Sequence, residues 1–233
     1  MILFINACVR RESRTLRLAK VLLEKLESED QKNEPEKETQ RSEHEREPQK
    51  NGSEREEQKN RSEGENQKNN PDRETPKAGL IKEVRLEDIA FPIVNEEFIT
   101  RRDAFKASGN YDDPMFDLGR DFAAADTIVI AAPYWDLSFP AALKQYFEQI
   151  NVAGLTFTYS NRGIPEGLCR AKRLYYVTTG GGPVVPDDFG FEYVKALATT
   201  FYGIGEVRLI KAEGLDIMGA DVEKILERVN IEP

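Results

Sequence analysis

The chain has 233 residues, enough for one or two domains, with 33 Lys and Arg against 42 Asp and Glu and a formal net charge of −9. That balance argues against nucleic acid or an anionic membrane as a main partner. Two cysteines, Cys8 and Cys169, are too few for a disulfide framework or a four-cysteine zinc site, and both read as free thiols in a reducing compartment.

The first element is a short apolar strand, Ile2 to Ile5, too short for a signal peptide or a membrane span, which makes the cytoplasm the default compartment. A basic loop follows, and then a helix from about Ser13 to Leu26. Leu16, Ala19, Leu22, Leu23 and Leu26 share one stripe of that helix.

The next stretch breaks the pattern. Residues 28–78 hold 15 acidic and 11 basic residues and no Val, Ile, Leu, Met or aromatic residue. Such a segment cannot bury enough apolar surface to offset its ordering entropy, and it reads as a disordered or fitfully helical surface insertion without chemistry, the sharper reading being a recruitment tail for a charged partner. From Gln31 to Thr75 it repeats as QKNEPEKET, QRSEHEREP, QKNGSEREE, QKNRSEGEN and QKNNPDRET. Nonamers without an apolar position give neighbouring copies nothing to stack on, which argues against a solenoid. The only histidine, His44, lies among them. The remaining domain, residues 1–27 plus 79–233, therefore has no Ser-His-Asp or Cys-His catalysis and no histidine metal site.

After the insertion, LIKEVRL (80–86) alternates as a strand, a loop with Pro92 follows, and Pro114 opens a helix near 114–125. TIVIAAP (127–133) is the continuous apolar run of a strand buried on both faces. PAALKQYFEQI (140–150) is helical, RLYYVTT (173–179) is the fourth strand, and the helix 191–203 closes on Gly203. EVRLIKAEG (206–214) is the fifth strand and ADVEKILERV (220–229) the last helix. Five alternations of strand and helix call for a doubly wound α/β fold with a parallel sheet covered on both faces.

In such sheets ligands bind beyond the carboxyl ends of the strands, and three loops leave those ends. The first offers Ser13 and Thr15 hydroxyls, the free N–H groups of a helix start, and Arg10, Arg11 and Arg14, a phosphate cradle. Its plainer reading is a helix cap at Ser13 with solvated arginines. The second sets Tyr134 and Trp135 between Pro133 and Pro140, which suits a flat aromatic ring; Trp135 also reads as a core plug or a subunit contact. The third, Thr179-Gly180-Gly181-Gly182-Pro183, lets backbone approach a ligand, or is simply a turn. Together they suit flavin mononucleotide better than a free nucleotide. The insertion follows a helix, so it should emerge at the opposite edge.

The stretch APYWDLSFPAALKQYFEQINVAGLTFTYSNRGIPEGL (132–168), followed by YYVTTGGGP, resembles the flavodoxin-like NAD(P)H:quinone oxidoreductases and FMN-dependent NADH azoreductases. The resemblance implies a flavodoxin-like five-stranded sheet in the order 2-1-3-4-5. It implies an FMN phosphate at Ser13, Arg14 and Thr15, and an isoalloxazine ring along Pro133, Tyr134, Trp135, Asp136 and Leu137. Thr179, Gly180, Gly181 and Gly182 would meet the ring's polar edge, and Tyr159 the substrate face. It further implies NADH or NADPH as electron donor, a quinone, azo or nitro acceptor, and a homodimer with the site at its edge. Many relatives carry serine or threonine where Ala7 and Cys8 stand, and azoreductases often carry Asn at the place of Asp136.

Two other functions stand beside this one. A flavodoxin-type electron carrier would bind FMN but serve a protein partner. Cys8 and Arg14 also match the C-x5-R-[ST] spacing of a low-molecular-weight cysteine phosphatase, with Asp187 or Asp188 as its acid. That chemistry needs a lowered thiol pKa and an inward ring of N–H groups, whereas the intervening Val-Arg-Arg-Glu-Ser has no glycine and places Glu12 against a dianion.

Overall fold

The computed structural model describes residues 1–32 and 81–233, so most of the repeat segment and its expected disorder lie outside the described residues. In chain order the elements are β1 (Ile2–Asn6), α1 (Arg14–Lys32), β2 (Ile81–Arg85), α2 (Glu96–Ala107), α3 (Asp117–Ala124), β3 (Thr127–Ala131) and α4 (Ala141–Ile150). A hairpin of β4 (Phe157–Tyr159) and β5 (Pro165–Gly167) follows, then β6 (Arg173–Thr179), α5 (Phe191–Leu197), β7 (Glu206–Ala212) and α6 (Val222–Glu227).

Five strands form one parallel sheet in the order β2-β1-β3-β6-β7. With the separate hairpin set aside, this is the expected order 2-1-3-4-5. β1 lies between β2 and β3, with Ile2 opposite both Ile81 and Thr127. Side chains alternate along each strand, and here both faces are dry. Leu3, Ile5, Ile128, Ile130, Leu174 and Tyr176 pack with Phe122 of α3, Tyr146 of α4 and Val194 of α5. Ile2, Phe4, Val129, Tyr175 and Val177 pack on the other side with Leu22 and Leu26 of α1 and Leu226 of α6. The predicted stripe of α1 is buried throughout, which accounts for its five apolar positions.

Four differences from the sequence reading have local causes. α1 runs on to Lys32, six residues past Leu26, because Glu, Lys and Gln are good helix formers without an apolar partner. α2 falls where a loop was expected; it buries no residue and so shows no apolar stripe, and Asn95 caps it by accepting the Phe98 N–H at 2.9 Å. Pro114 opens a single tight turn, Pro114–Phe116, capped by Asp113, before α3 proper begins. The last turn of the helix beginning at Phe191 widens into a π-turn, Ala198–Tyr202, ending at Gly203 with φ 72°.

That π-turn supports the hairpin. The Phe201 ring meets Phe157 edge-on at 4.9 Å. Gly167 lies so close to the Tyr202–Gly203 backbone that a Cβ there would overlap it. Ile81 begins β2 at the amino edge of the sheet, and α1 leads away from the carboxyl edge over about 28 Å at 1.5 Å per residue. The repeat segment thus joins two ends remote from the loops described next.

Candidate functional site

Four loops meet at the carboxyl edge of the sheet and enclose a cleft of about 370 Å³, within the range of sites for cofactor-sized ligands. It is lined from the β1–α1 loop by Cys8, Val9, Arg10, Glu12, Ser13, Arg14 and Thr15. The loop after β3 contributes Pro133, Tyr134 and Trp135, the loop after β6 Thr179, Gly180 and Gly181, and the loop after β7 Leu215 and Asp216.

Of the residues singled out in the sequence, Ser13, Arg14, Thr15, Pro133, Tyr134, Trp135, Thr179, Gly180 and Gly181 are brought together here. Asp136, Leu137, Gly182 and Tyr159 lie outside the lining. Asp136 and Leu137 form an exposed two-residue turn, and Tyr159 stands half exposed on β4 with its ring edge-on to Phe157. Leu215 and Asp216 were missed, because a loop of Gly, Leu and Asp after a fifth strand carries no motif; only its place at the carboxyl edge marks it.

Ser13 caps α1: its Oγ accepts the Leu16 N–H at 3.3 Å. The plain reading of that residue and the cleft-lining one therefore hold together. Thr15 is fully buried, and its hydroxyl lies 2.7 Å from that of Thr179, tying the first loop to the third. Tyr134 N–H donates to Thr179 O at 3.1 Å and ties in the second. Trp135 and Ser138 exchange both backbone hydrogen bonds, closing a hairpin turn with Asp136 at φ 49° and Leu137 at φ 69°. Positive φ at both central positions is the type I′ geometry, which ordinarily selects Asn or Gly. The Ser138 hydroxyl donates to Phe189 O at 2.6 Å and fastens this turn to the loop after β6.

The glycine run serves the protein's own packing first. A Cβ on Gly180 would overlap Val185, and one on Gly181 would overlap the Asp216 carboxylate. The Gly180 N–H is committed to Ala212 O at 2.9 Å, while those of Gly181 and Gly182 donate to nothing among the described residues. Gly214, Leu215 and Asp216 donate their N–H groups to Gly182, Gly180 and Gly181 carbonyls, laying the fourth loop along the third. Lys211 holds the next stretch, reaching Val185 O, Asp187 and Glu213, each at 2.9 Å. Burial pulls its ammonium down, but the bonds to Asp187 and Glu213 outweigh that and hold it above its usual value.

Across the cleft, Arg14 Nη1 lies 2.7 Å from Asp216 Oδ1. Arg10 makes no ion pair among the described residues. The Cys8 side chain is 3% exposed, and its Sγ lies 3.7 Å from Ala131 O. Burial pushes its thiol up, against smaller downward pulls from the Ser13 hydroxyl and the Arg85 guanidinium. An attacking thiolate needs the opposite shift. Asp187, one of the two candidate acids, is taken up by Lys211, so the geometry does not favour a cysteine phosphatase.

Comparison with known proteins follows the same lines. A family model described as a flavodoxin-like fold matches residues 51–231. An FMN-dependent NADH:quinone oxidoreductase of Coprothermobacter proteolyticus is 41% identical over 116 residues, 48% of this chain and 58% of that one. One of Clostridium perfringens (strain ATCC 13124) is 35% identical over 140 residues, 57% of this chain and 70% of that one. The chain thus spans a little under three fifths of the first relative's length. Among solved structures, the azoreductase from Bacillus anthracis str. Sterne superposes with a TM-score of 0.65 at 19% identity, over 97% of this chain and 92% of that one. An FMN-dependent NADH-azoreductase from Bacillus anthracis str. Ames Ancestor, in complex with FMN, gives 0.62 at 19% identity, with the same coverage. At these identities the likeness is one of fold.

Proposed function

The chain belongs to the flavodoxin-like fold family, and on that premise we propose that it is an FMN-dependent oxidoreductase using NADH or NADPH to reduce a quinone, azo or nitro compound. The observation that carries the reading is the cleft itself: phosphate-type, aromatic and backbone-donor residues converge on one carboxyl-edge cavity. Relatives named as FMN-dependent NADH:quinone oxidoreductases support it.

The residues present fit the cofactor. The phosphate would meet the first turn of α1, with its free N–H groups, the Ser13 hydroxyl, Arg14 and Arg10. Pro133, Tyr134 and Trp135 would flank the ring, and Gly181 offers its unspent N–H to the ring's polar edge. The Thr15–Thr179 hydroxyl pair holds these two walls in register. When bound, FMN supplies the redox chemistry, accepting a hydride from the nicotinamide and passing reducing equivalents to the acceptor. The protein positions and encloses it, so the absence of histidine from residues 1–27 and 79–233 is no obstacle.

The same proposal includes a homodimer and a cytoplasmic setting. Trp135, Leu137, Val184 and Phe189 are exposed apolar groups on the two loops fastened by Ser138, a rim that a second copy would cover. The two buried free thiols suit a reducing compartment. No helix among the described residues is long and apolar enough to cross a membrane. Residues 28–78 are read as an insertion into this one domain, with Tyr159 facing the acceptor.

Purified protein should be yellow, and its flavin absorbance should bleach on addition of NADH or NADPH and return when a quinone follows. Colourless protein that takes up no FMN would sink the proposal. Protein that binds FMN yet oxidises neither nicotinamide would instead be the electron carrier.

A further inference from the structure

Asp216 is an unexpected occupant for a phosphate site. Its backbone is fixed by the N–H bond to Gly181 O at 3.0 Å, beside the two bonds from Gly214 and Leu215 to the same glycine loop. From there its carboxylate reaches across the cleft to Arg14, 2.7 Å away, on the first turn of α1. The missing Cβ of Gly181 makes the space this carboxylate fills. Both partners line the cavity, and the pair is partly exposed, with side-chain exposures of 37% for Arg14 and 70% for Asp216.

We infer that Asp216 is an internal competitor for Arg14, a residue that lowers the site's affinity for phosphate so that a ligand must also engage the aromatic wall; this presupposes the phosphate-bearing cofactor proposed above. An entering phosphate meets a guanidinium already paired and a fixed negative charge beside it. It must share Arg14 or displace Asp216. Inorganic phosphate has no ring to set against that cost, whereas a flavin phosphate gains contact with Tyr134 and Trp135. Arg10, free of ion pairs among the described residues, is the cation left open for first contact.

The test is Asp216→Asn, which keeps the shape and removes the charge, with Asp216→Ala as a second variant. Affinities for FMN, riboflavin and inorganic phosphate are measured on the apo-protein by flavin fluorescence quenching and by phosphate competition and phosphate-dependent thermal shift. Removing a largely exposed charge should tighten FMN and inorganic phosphate by roughly two- to fivefold. Riboflavin, which lacks the phosphate, should bind the variants and the wild type alike. FMN and phosphate affinities that stay level or fall in both variants would overturn the inference and make Asp216 a support for Arg14. If wild-type protein binds no FMN, the cofactor reading fails by itself, and the phosphate thermal shift of Asp216→Asn against wild type still decides the role of Asp216.

Discussion

Leu137 stands at φ 69° on an exposed turn, a conformation that brings an L side chain's Cβ against its own following carbonyl. That costs roughly 1–2 kcal/mol, and the half-exposed side chain recovers little of it by burial. The turn is nevertheless closed by two backbone hydrogen bonds, Trp135 N–H to Ser138 O at 3.0 Å and Ser138 N–H to Trp135 O at 2.8 Å. Strain of this kind next to a candidate ring site is a reason to expect that the turn is kept for what it positions, namely Trp135. Leu137→Gly relieves the strain and loses part of the gain to the extra freedom of glycine in the unfolded chain, about 0.4–1 kcal/mol. The net expectation is a more stable protein by about 0.5 kcal/mol, or a rise in Tm of about 1–2 °C for a chain of this size. Thermal unfolding followed by circular dichroism measures it. A lower Tm would show that Leu137 makes a contact worth more than the strain.

At the scale of elements, α1 joins two roles in one residue. Ser13 supplies the cap for the Leu16 N–H and also lines the cleft. The roles come apart on substitution. Ser13→Ala should cost about 1 kcal/mol of stability through the lost cap. Ser13→Asp keeps a capping oxygen and favours the positive helix start, so urea unfolding should find it about as stable as wild type. The new carboxylate would stand where a phosphate is expected, so FMN titration should find binding weakened by at least tenfold, about 1.4 kcal/mol. Undiminished FMN binding by Ser13→Asp would remove the first loop from the phosphate site.

The same helix shows what could be read in advance. Its apolar stripe and the continuous apolar runs of β1 and β3 carry strong signals, so the parallel sheet was legible, as were the three loops at its carboxyl edge, while the strand order came from the family resemblance. α2 was not, because a helix that buries nothing has no stripe to read. The three-residue strands β4 and β5 were too short to show alternation, and their support comes from Phe201 and Tyr202 far along the chain. Asp216 was invisible for a similar reason: its partner Arg14 is 202 residues away.

On the scale of the whole molecule, the two cores hold several weak acids in neutral form, and that sets how the fold meets high pH. Burial pushes the Cys169 thiol up to about 12 from an ordinary 9.0. Burial likewise raises the phenols of Tyr146, Tyr176 and Tyr202, all on the side of the sheet covered by α3, α4 and α5. In the unfolded chain the thiols ionise near 9.0 and the phenols near 10.0. A group whose folded pKa is raised contributes its full stability below the unfolded value and loses it as pH climbs toward the folded value. Stability should therefore be level up to about pH 9 and then fall, by about 1.4 kcal/mol per pH unit for each group inside its window. The first part of the fall, from pH 9 to 10, belongs to the thiols and the later, steeper part to the phenols. Urea midpoints measured at intervals from pH 7 to 11 test this, with Cys169→Ala as the comparison. The variant starts from a lower stability because it leaves a small cavity, but its decline between pH 9 and 10 should be shallower than that of the wild type. A wild-type midpoint that does not move before pH 11 would show that these groups ionise in the folded protein as readily as in the unfolded one, and would overturn the prediction drawn from their burial.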